Sequence, residues 1–393
     1  MPKKRLFTPG PVEVPQAALL AMARQVRHHR TPEFRATMRE VLEGLKYAFQ
    51  TANDVLILAS SGSGGMEAAV VNTVPGRHER AVGGKALVLH SGKFAERWRL
   101  IAERFGIEVV RYDLPWGEAF EAAEVERLLK QHPDVAAVFS TLQETSTGVG
   151  HDIEAIGRVV RNSPALLVVD GISGAGAMEC RTDAWGIDVL VVGAQKALMT
   201  PPGLAFLAIS PKAWRQIESV GAPGTPGRPA FYFDLPAYRK AAETGETPYT
   251  PAIPLIEALA ESLRQIRDTG IENLWARAKR LSQTTLAGIA ALGLKLVAKR
   301  PAEGLSAVYL PEDIDAKQFL TRLEERFGIK LGGGQGPLKG RIFRIAHMGL
   351  VDEVDILGCL AAIELVLAEM GKDVVFGSAV AAAQRVLAVG LKS

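Results

Sequence analysis

Short runs of apolar, strand-forming residues alternate with amphipathic stretches through the first half of the chain, and this alternation narrows the possible folds most. The runs are VLILA (55–59), ALVLH (86–90), IEVVRY (107–112), VAAVF (135–139), ALLVV (165–169), DVLVV (188–192) and LAFLAI (204–209). Helical patterns fill most of the gaps, at 64–74, 93–105, 120–131 and 153–162. A strand that is apolar at consecutive positions has no face suited to water, so its sheet must be covered on both sides. Helical crossovers between successive strands make such a sheet mostly parallel. One link breaks the rhythm: 188–192 and 204–209 are joined by a short segment without a helical pattern, which predicts an antiparallel strand at that end of the sheet.

Downstream the pattern changes. GAPGTPGRPA (221–230) and TPYTPAIP (247–254) read as loops, and a long helical stretch runs from about Leu255 to Leu292, with Leu259, Leu263 and Ile266 at helical spacing. Strands near 294–298, 305–310 and 341–346 then mix with helices near 315–327 and 353–370. This reads as a smaller α+β unit joined to the first by the long helix. At 393 residues the chain exceeds what one core usually holds.

The bulk properties exclude several functions. A net charge of +3, set against 46 basic and 43 acidic side chains with no basic run on one face, leaves no electrostatic footprint for nucleic acid. No stretch is apolar for the length of a bilayer span, and the opening MPKKRLFTPGPVEVP lacks the apolar region of a secretory leader. The two cysteines, Cys180 and Cys359, are far apart in sequence and suit neither a disulfide framework nor a cysteine-held metal cluster. A reducing compartment, the cytoplasm, is expected.

Three features point to chemistry. In VVGAQKALMTPPG (191–203) a buried strand surfaces at Gly193 and is followed by Gln195 and Lys196. A lysine there either snorkels to solvent or, held in a cleft where burial lowers its pKa, offers a nucleophilic amine. ALLVV ends in Asp170, and the C-terminal ends of parallel strands face the ligand crevice of open α/β sheets; Asp before Gly is also ordinary turn chemistry. SSGSGGMEAAV (60–70) is a Gly/Ser loop entering a helix, which can direct backbone N–H groups at an anion. A phosphate cradle, a carboxylate and an amine on one sheet edge are the equipment for pyridoxal 5′-phosphate, whose ring needs an acidic partner and whose aldehyde needs a lysine.

The ordered set TPGP, HHRTPEF, the Gly/Ser loop, ETSTG, VVDGISGAGA, GAQKAL and FRIAHMG makes almost the whole chain similar to the class V aminotransferases. These are fold-type I pyridoxal-phosphate enzymes, and the likeness is greatest to alanine–glyoxylate and serine–glyoxylate (serine–pyruvate) aminotransferases. The resemblance implies an α/β fold with a mostly parallel seven-stranded sheet in a large domain and a smaller C-terminal α+β domain. The boundaries are an N-terminal arm at 1–17, the large cofactor-binding domain at 18–255 and the small domain at 256–393.

Position by position, the resemblance makes Lys196 the Schiff-base lysine and Gln195 a neighbouring phosphate contact. Asp170 pairs with the pyridine nitrogen, and Ser61, Gly62 and Ser63 hold the phosphate. Phe94 stacks on the ring, Ile172 presses on its other face, and Thr145 lies near the ring hydroxyl. Thr247 and Thr250 reach the phosphate of a neighbouring subunit, implying a homodimer with shared sites. Arg344 clamps the substrate α-carboxylate, a task for which a planar guanidinium is better shaped than a lysine. Gly10 offers a backbone contact near the substrate. Arg341 and Arg300 are read as surface charges, and His28, His29 and Arg30 as loop or interface packing rather than a metal site, since no third ligand has suitable spacing.

The function implied is ping-pong transamination of a small amino acid, alanine or serine, with glyoxylate or pyruvate as acceptor. In it Lys196 acts as base on the Cα proton and Asp170 supports the ring's positive charge. A cysteine desulfurase or another class V enzyme is the alternative, although neither cysteine is well placed for it. A redox role as a hydrogenase subunit needs more thiolates than two. A non-catalytic role is at odds with the full lysine–aspartate–arginine set.

Overall fold

The computed structural model describes residues 2–75, 84–220 and 229–389. In chain order the strands begin with β1 (Arg5–Phe7), β2 (Asp54–Leu58), β3 (Lys85–His90), β4 (Glu108–Asp113) and β5 (Val135–Thr141). The two-residue β6 (Gln143–Glu144) and β7 (Val149–Gly150) follow, then β8 (Leu166–Asp170), β9 (Val189–Gly193) and β10 (Ala205–Ile209). β11 (Leu305–Tyr309), β12 (Ile329–Gly333) and β13 (Ile342–Ala346) complete the set.

Seven strands form the central sheet in the order β2-β10-β9-β8-β5-β3-β4. β10 runs antiparallel to both its neighbours, and every other adjacent pair is parallel. The short link after β9 leaves no room for a crossover helix, so the chain folds straight back, as its sequence predicts. The antiparallel strand is not at the edge, however, because β2 pairs along its far side.

Burial explains the continuous apolar runs. Successive residues of β8, β9 and β10 point to opposite faces. Leu167, Val169, Leu190, Val192, Phe206 and Ala208 enter one core cluster, whereas Leu166, Val168, Val189, Val191, Ala205 and Leu207 enter the other. The helix Gly62–Thr73 covers the second face through Met66, Ala69 and Val70, and the helix Pro32–Phe49 covers the first through Phe34, Met38, Val41 and Leu45.

A second sheet, ordered β1-β12-β13-β11, draws β1 from the far N-terminus into parallel pairing with β12. Its core is a separate cluster that includes Phe319, Phe343, Ile345, Cys359 and Ile363. The sequence differs from the structure here in three ways. The long helix is two helices, Ile253–Thr269 and Ile271–Ala291, broken at Gly270, whose φ of 85° lies outside the helical region. Residues 294–298 form no strand, only an isolated bridge between Leu296 and Val308. β12 was not anticipated, because IKLGGGQG reads as a loop when half its residues are glycine. Of the loop at 221–230, residues 221–228 lie outside the described residues. Among the described residues no helix is long and apolar enough to cross a membrane.

Candidate active site

β2, β5, β8 and β9 all point their C-terminal ends the same way, so Ser61, Thr145, Asp170 and Lys196 follow strand ends on one edge of the sheet. Asp170, the last residue of β8, is 4% exposed, and its Oδ1 accepts the Ile172 N–H at 2.8 Å. Burial, aided by the negative charge of Glu144, pushes this carboxyl up to about 7. Lys196 lies three residues past β9, and its Nζ donates to the Pro9 carbonyl. Burial pulls the amine down to about 8; the charges of Arg344 and Arg97 add to this, and Asp170 opposes it. The two buried groups are therefore close enough to feel each other's charge, and the space around them is the candidate cofactor cavity. At pH 7 an amine with this pKa is free base in about one molecule in ten, against well under one in a thousand for an ordinary lysine.

Gly10 lies against this lysine. A Cβ there would fall 2.3 Å from Lys196 Cδ and 2.6 Å from Nζ, and φ is +118°, so a side chain would displace the amine as well as strain the backbone. Beside it, Gly62 opens the helix Gly62–Thr73 with Ser61 as N-cap, and the Ser61 side chain makes no capping hydrogen bond. Gly64 and Gly65 donate their N–H groups to the Ser61 carbonyl, leaving those of Gly62 and Ser63 without partners among the described residues. Ile172 packs over this turn, its Cδ1 2.5 Å from where a Gly62 Cβ would stand. Gly193 brings the Gln195 amide to the same place: a Cβ on Gly193 would lie 3.2 Å from Gln195 Oε1 and 3.9 Å from the Gly62 Cα. Gln195 Oε1 is itself buried with no partner.

The second sheet supplies Arg344. Arg344 on β13 is 6% exposed; it donates Nε–H to the Gly333 carbonyl at 2.8 Å and Nη1–H to the Thr145 carbonyl at 3.0 Å. Those two bonds fix the guanidinium plane and leave its other donors for a ligand. Arg341 and Arg300, by contrast, are exposed, the first over the Tyr309 ring and the second paired with Asp152 at 3.5 Å. Thr145 Oγ1 lies 2.6 Å from Ser173 Oγ, and both residues are buried.

Two residues beside these groups escaped the sequence reading. Glu144 is fully buried and accepts from the Phe94, Ala95 and Ser146 N–H groups and from Ser146 Oγ, so it caps the helix Lys93–Arg104 from outside that helix. Arg97, one turn beyond Phe94 on that helix, donates Nη1–H to Ser63 Oγ at 2.8 Å and lies 5.3 Å from the centre of the Phe94 ring. Its spacing from Phe94 was the available signal: residues three apart on a helix share a face.

Other expected site residues are not brought to this cavity within one chain. Thr247 donates its hydroxyl to the Tyr249 carbonyl at 2.6 Å, and Thr250 is exposed. His28 and His29 stack with ring centres 4.7 Å apart, and His28 Nδ1 accepts the Arg30 N–H, in an exposed loop.

The cavity fits pyridoxal 5′-phosphate on its own chemistry. It holds two partnerless N–H groups at a helix start and an orphaned amide for a phosphate, a buried carboxyl for a ring nitrogen, and an amine of lowered pKa for an aldehyde.

The comparisons with known proteins agree. A family model described as aminotransferase class-V matches residues 11–341. The chain is 40% identical over 391 residues to a protein of Synechococcus sp. described as the small subunit of a soluble hydrogenase, with 98% of each covered. It is 34% identical over 394 residues to a serine–glyoxylate aminotransferase of Methylorubrum extorquens, covering 98% of this chain and 96% of that one. Among solved structures, the ureidoglycine–glyoxylate aminotransferase of Bacillus subtilis matches with a TM-score of 0.91 at 29% identity, over 99% of both chains.

Proposed function

From the premise that the chain belongs to the class-V aminotransferases and uses pyridoxal 5′-phosphate, we propose that it moves the amino group of alanine or serine onto glyoxylate or pyruvate. The observation that carries this reading is the burial, near one another, of a base at Lys196, the carboxyl of Asp170 and an arginine held by two backbone carbonyls. Glyoxylate is the acceptor named for the M. extorquens and B. subtilis relatives.

In this reading Lys196 Nζ would hold the cofactor covalently, Asp170 would face the ring nitrogen, and Gly62, Ser63 and Gln195 would hold the phosphate. Ser61, Phe94, Thr145 and Ile172 would line the rest of that site, with Gly10 against the substrate. When bound, the cofactor supplies the aldehyde and the electron-withdrawing ring that carry an amino group between donor and acceptor. Arg344 binds the α-carboxylate common to donor and acceptor through two parallel hydrogen bonds and so orients the α-carbon. Lys196 Nζ accepts the proton leaving that carbon and returns it on the acceptor half, a task suited to a pKa near neutrality. A second copy of the chain would bring Thr247 and Thr250 to the phosphate. The cytoplasm suits the two free thiols.

Two other readings are less well supported. A desulfurase needs a reactive thiol, but Cys180 and Cys359 are both buried, which pushes each up to about 12. The hydrogenase label of the Synechococcus relative implies a thiolate-held metal centre, and here the two cysteines lie in different core clusters.

The test is a panel of amino donors against glyoxylate and pyruvate with keto-acid detection. The expected result is turnover of alanine or serine that Lys196→Ala reduces by at least about a thousandfold. The reading fails if neither acceptor supports turnover, or if Lys196→Ala retains it.

A further inference from the structure

We propose that Arg97 is the cationic member of the phosphate cradle, a positioning residue that holds the Ser63 hydroxyl and brings positive charge to the cofactor phosphate. The inference rests on the reading above that Gly62 and Ser63 receive that phosphate. A phosphate monoester carries about −1.5 to −2 charges at neutral pH, whereas Ser61, Gly62, Ser63 and Gln195 carry none. A helix start contributes only about half a positive charge. A cradle built from these groups alone would leave most of a buried dianion unbalanced.

Arg97 is a cation adjacent to that cradle, and among the described residues it has no competing carboxylate partner. Its neighbours on the helix are engaged with one another: Lys93 and Arg99 pair with Glu96, and Arg99 also pairs with Glu103. No carboxylate lies within ion-pair distance of Arg97 among the described residues; its one hydrogen bond is to Ser63 Oγ, and its planar head lies by the Phe94 ring. A half-buried guanidinium with one such hydrogen bond keeps other N–H donors for a ligand. Its charge is felt at both Asp170 and Lys196, which locates it beside the cavity rather than on an outer surface.

The hydrogen bond also sets the direction of the serine proton. Because Ser63 Oγ accepts from Arg97, its own O–H is left to donate, and a phosphate oxygen in front of the Gly62 and Ser63 N–H groups is the acceptor it would meet. Glu144 completes the device: by capping the first turn of the helix through Phe94 and Ala95 it holds the turn from which Arg97 projects.

The experiment uses full-length protein freed of cofactor, with two probes: pyridoxal 5′-phosphate followed by fluorescence titration, and inorganic phosphate followed by thermal shift. Arg97→Gln should weaken the cofactor by roughly 10- to 100-fold and remove most of the phosphate-induced shift. Arg97→Lys, which keeps the charge but not the fork, should fall between wild type and Arg97→Gln, and it serves as the test if the glutamine variant does not fold. The double variant Ser63→Ala/Arg97→Gln should bind little worse than Arg97→Gln alone, because both changes remove one arrangement. Wild-type affinities for both probes in the Arg97 variants, within about twofold, would overturn the inference alone. Failure of the wild-type protein to bind either probe would overturn it together with the reading beneath it.

Discussion

Replacing Asp170 by asparagine separates the stability of this protein from its ability to hold a cofactor. In the unfolded chain the carboxyl ionises at about 3.8, whereas in the folded, cofactor-free protein burial delays ionisation to about 7. Below pH 3.8 the group is neutral in both states and contributes nothing. As pH rises from there the unfolded state loses its proton first, so the folded state is penalised by about 1.4 kcal/mol per pH unit until pH 7, where the penalty levels off at about 4 kcal/mol. Asparagine is neutral throughout and keeps an oxygen to accept the Ile172 N–H that Oδ1 now accepts at 2.8 Å. Cofactor-free Asp170→Asn should therefore be more stable than wild type by an amount that grows by about 2–3 kcal/mol between pH 5 and pH 7 and is constant above that. Urea unfolding of both proteins at pH 5, 6, 7 and 8 measures it. With saturating cofactor the order should reverse, because the substitution removes the anion proposed to face the ring and ligand binding adds stability that grows with the logarithm of affinity. A stability difference that does not change with pH would refute the reasoning, as would an asparagine variant weaker than wild type across the range without cofactor.

Other outcomes follow from the same geometry. Arg344→Lys should raise KM for amino donor and keto acceptor alike by about 10- to 100-fold, since both present the same carboxylate, and steady-state kinetics on each half-reaction checks it. Glu144→Ala leaves the Phe94 and Ala95 N–H groups and the Ser146 hydroxyl without their acceptor. It should lower stability by about 2–4 kcal/mol in denaturant unfolding and also weaken cofactor binding. Gly10→Ala places a methyl within 2.6 Å of Lys196 Nζ at a φ of +118°, so it should abolish cofactor loading, read as loss of visible absorbance, while near-normal unfolding midpoints would locate the damage at the site. Turnover at saturating substrate should fall as pH drops below about 8, where the Lys196 amine gains a proton, and a flat profile from pH 6 to 9 would remove Lys196 as the base.

Much of the fold was legible because the strands are buried on both faces. Leu190 and Val191 must satisfy opposite cores, so the run carries its own signature, and the four crossover helices follow from the gaps. Legibility failed where glycine carries the structure. Gly270 breaks a helical pattern that continues on either side, and β12 is a five-residue strand that ends in two glycines, kept in place by pairing with β1 and β13 rather than by its own residues. Pairing between residues 5–7 and 329–331 is a contact at long range with no local trace in either segment.

The site follows a different logic, and its charges show why only part of it was readable. Among the described residues, Asp170, Lys196, Arg97, Arg344 and Glu144 form no direct ion pair with one another, although the charges around them contribute to the shifted protonation of Asp170, Lys196 and Arg344. A fold selected for stability alone would neutralise or pair such groups, because each buried unpaired charge costs free energy. Here they are held apart by backbone partners: Pro9 for Lys196, Ile172 for Asp170, Gly333 and Thr145 for Arg344, and the helix start at Phe94 for Glu144. The spaces between them are where a ligand's phosphate, ring nitrogen and carboxylate would complete the pairing. Lys196 and Asp170 could be found in the sequence because each follows a strand end. Arg97 left only the weaker trace of its spacing from Phe94, and Glu144 left none, because its role arises only when β6 meets the start of the helix Lys93–Arg104. That arrangement departs from local preference in the way a functional site does.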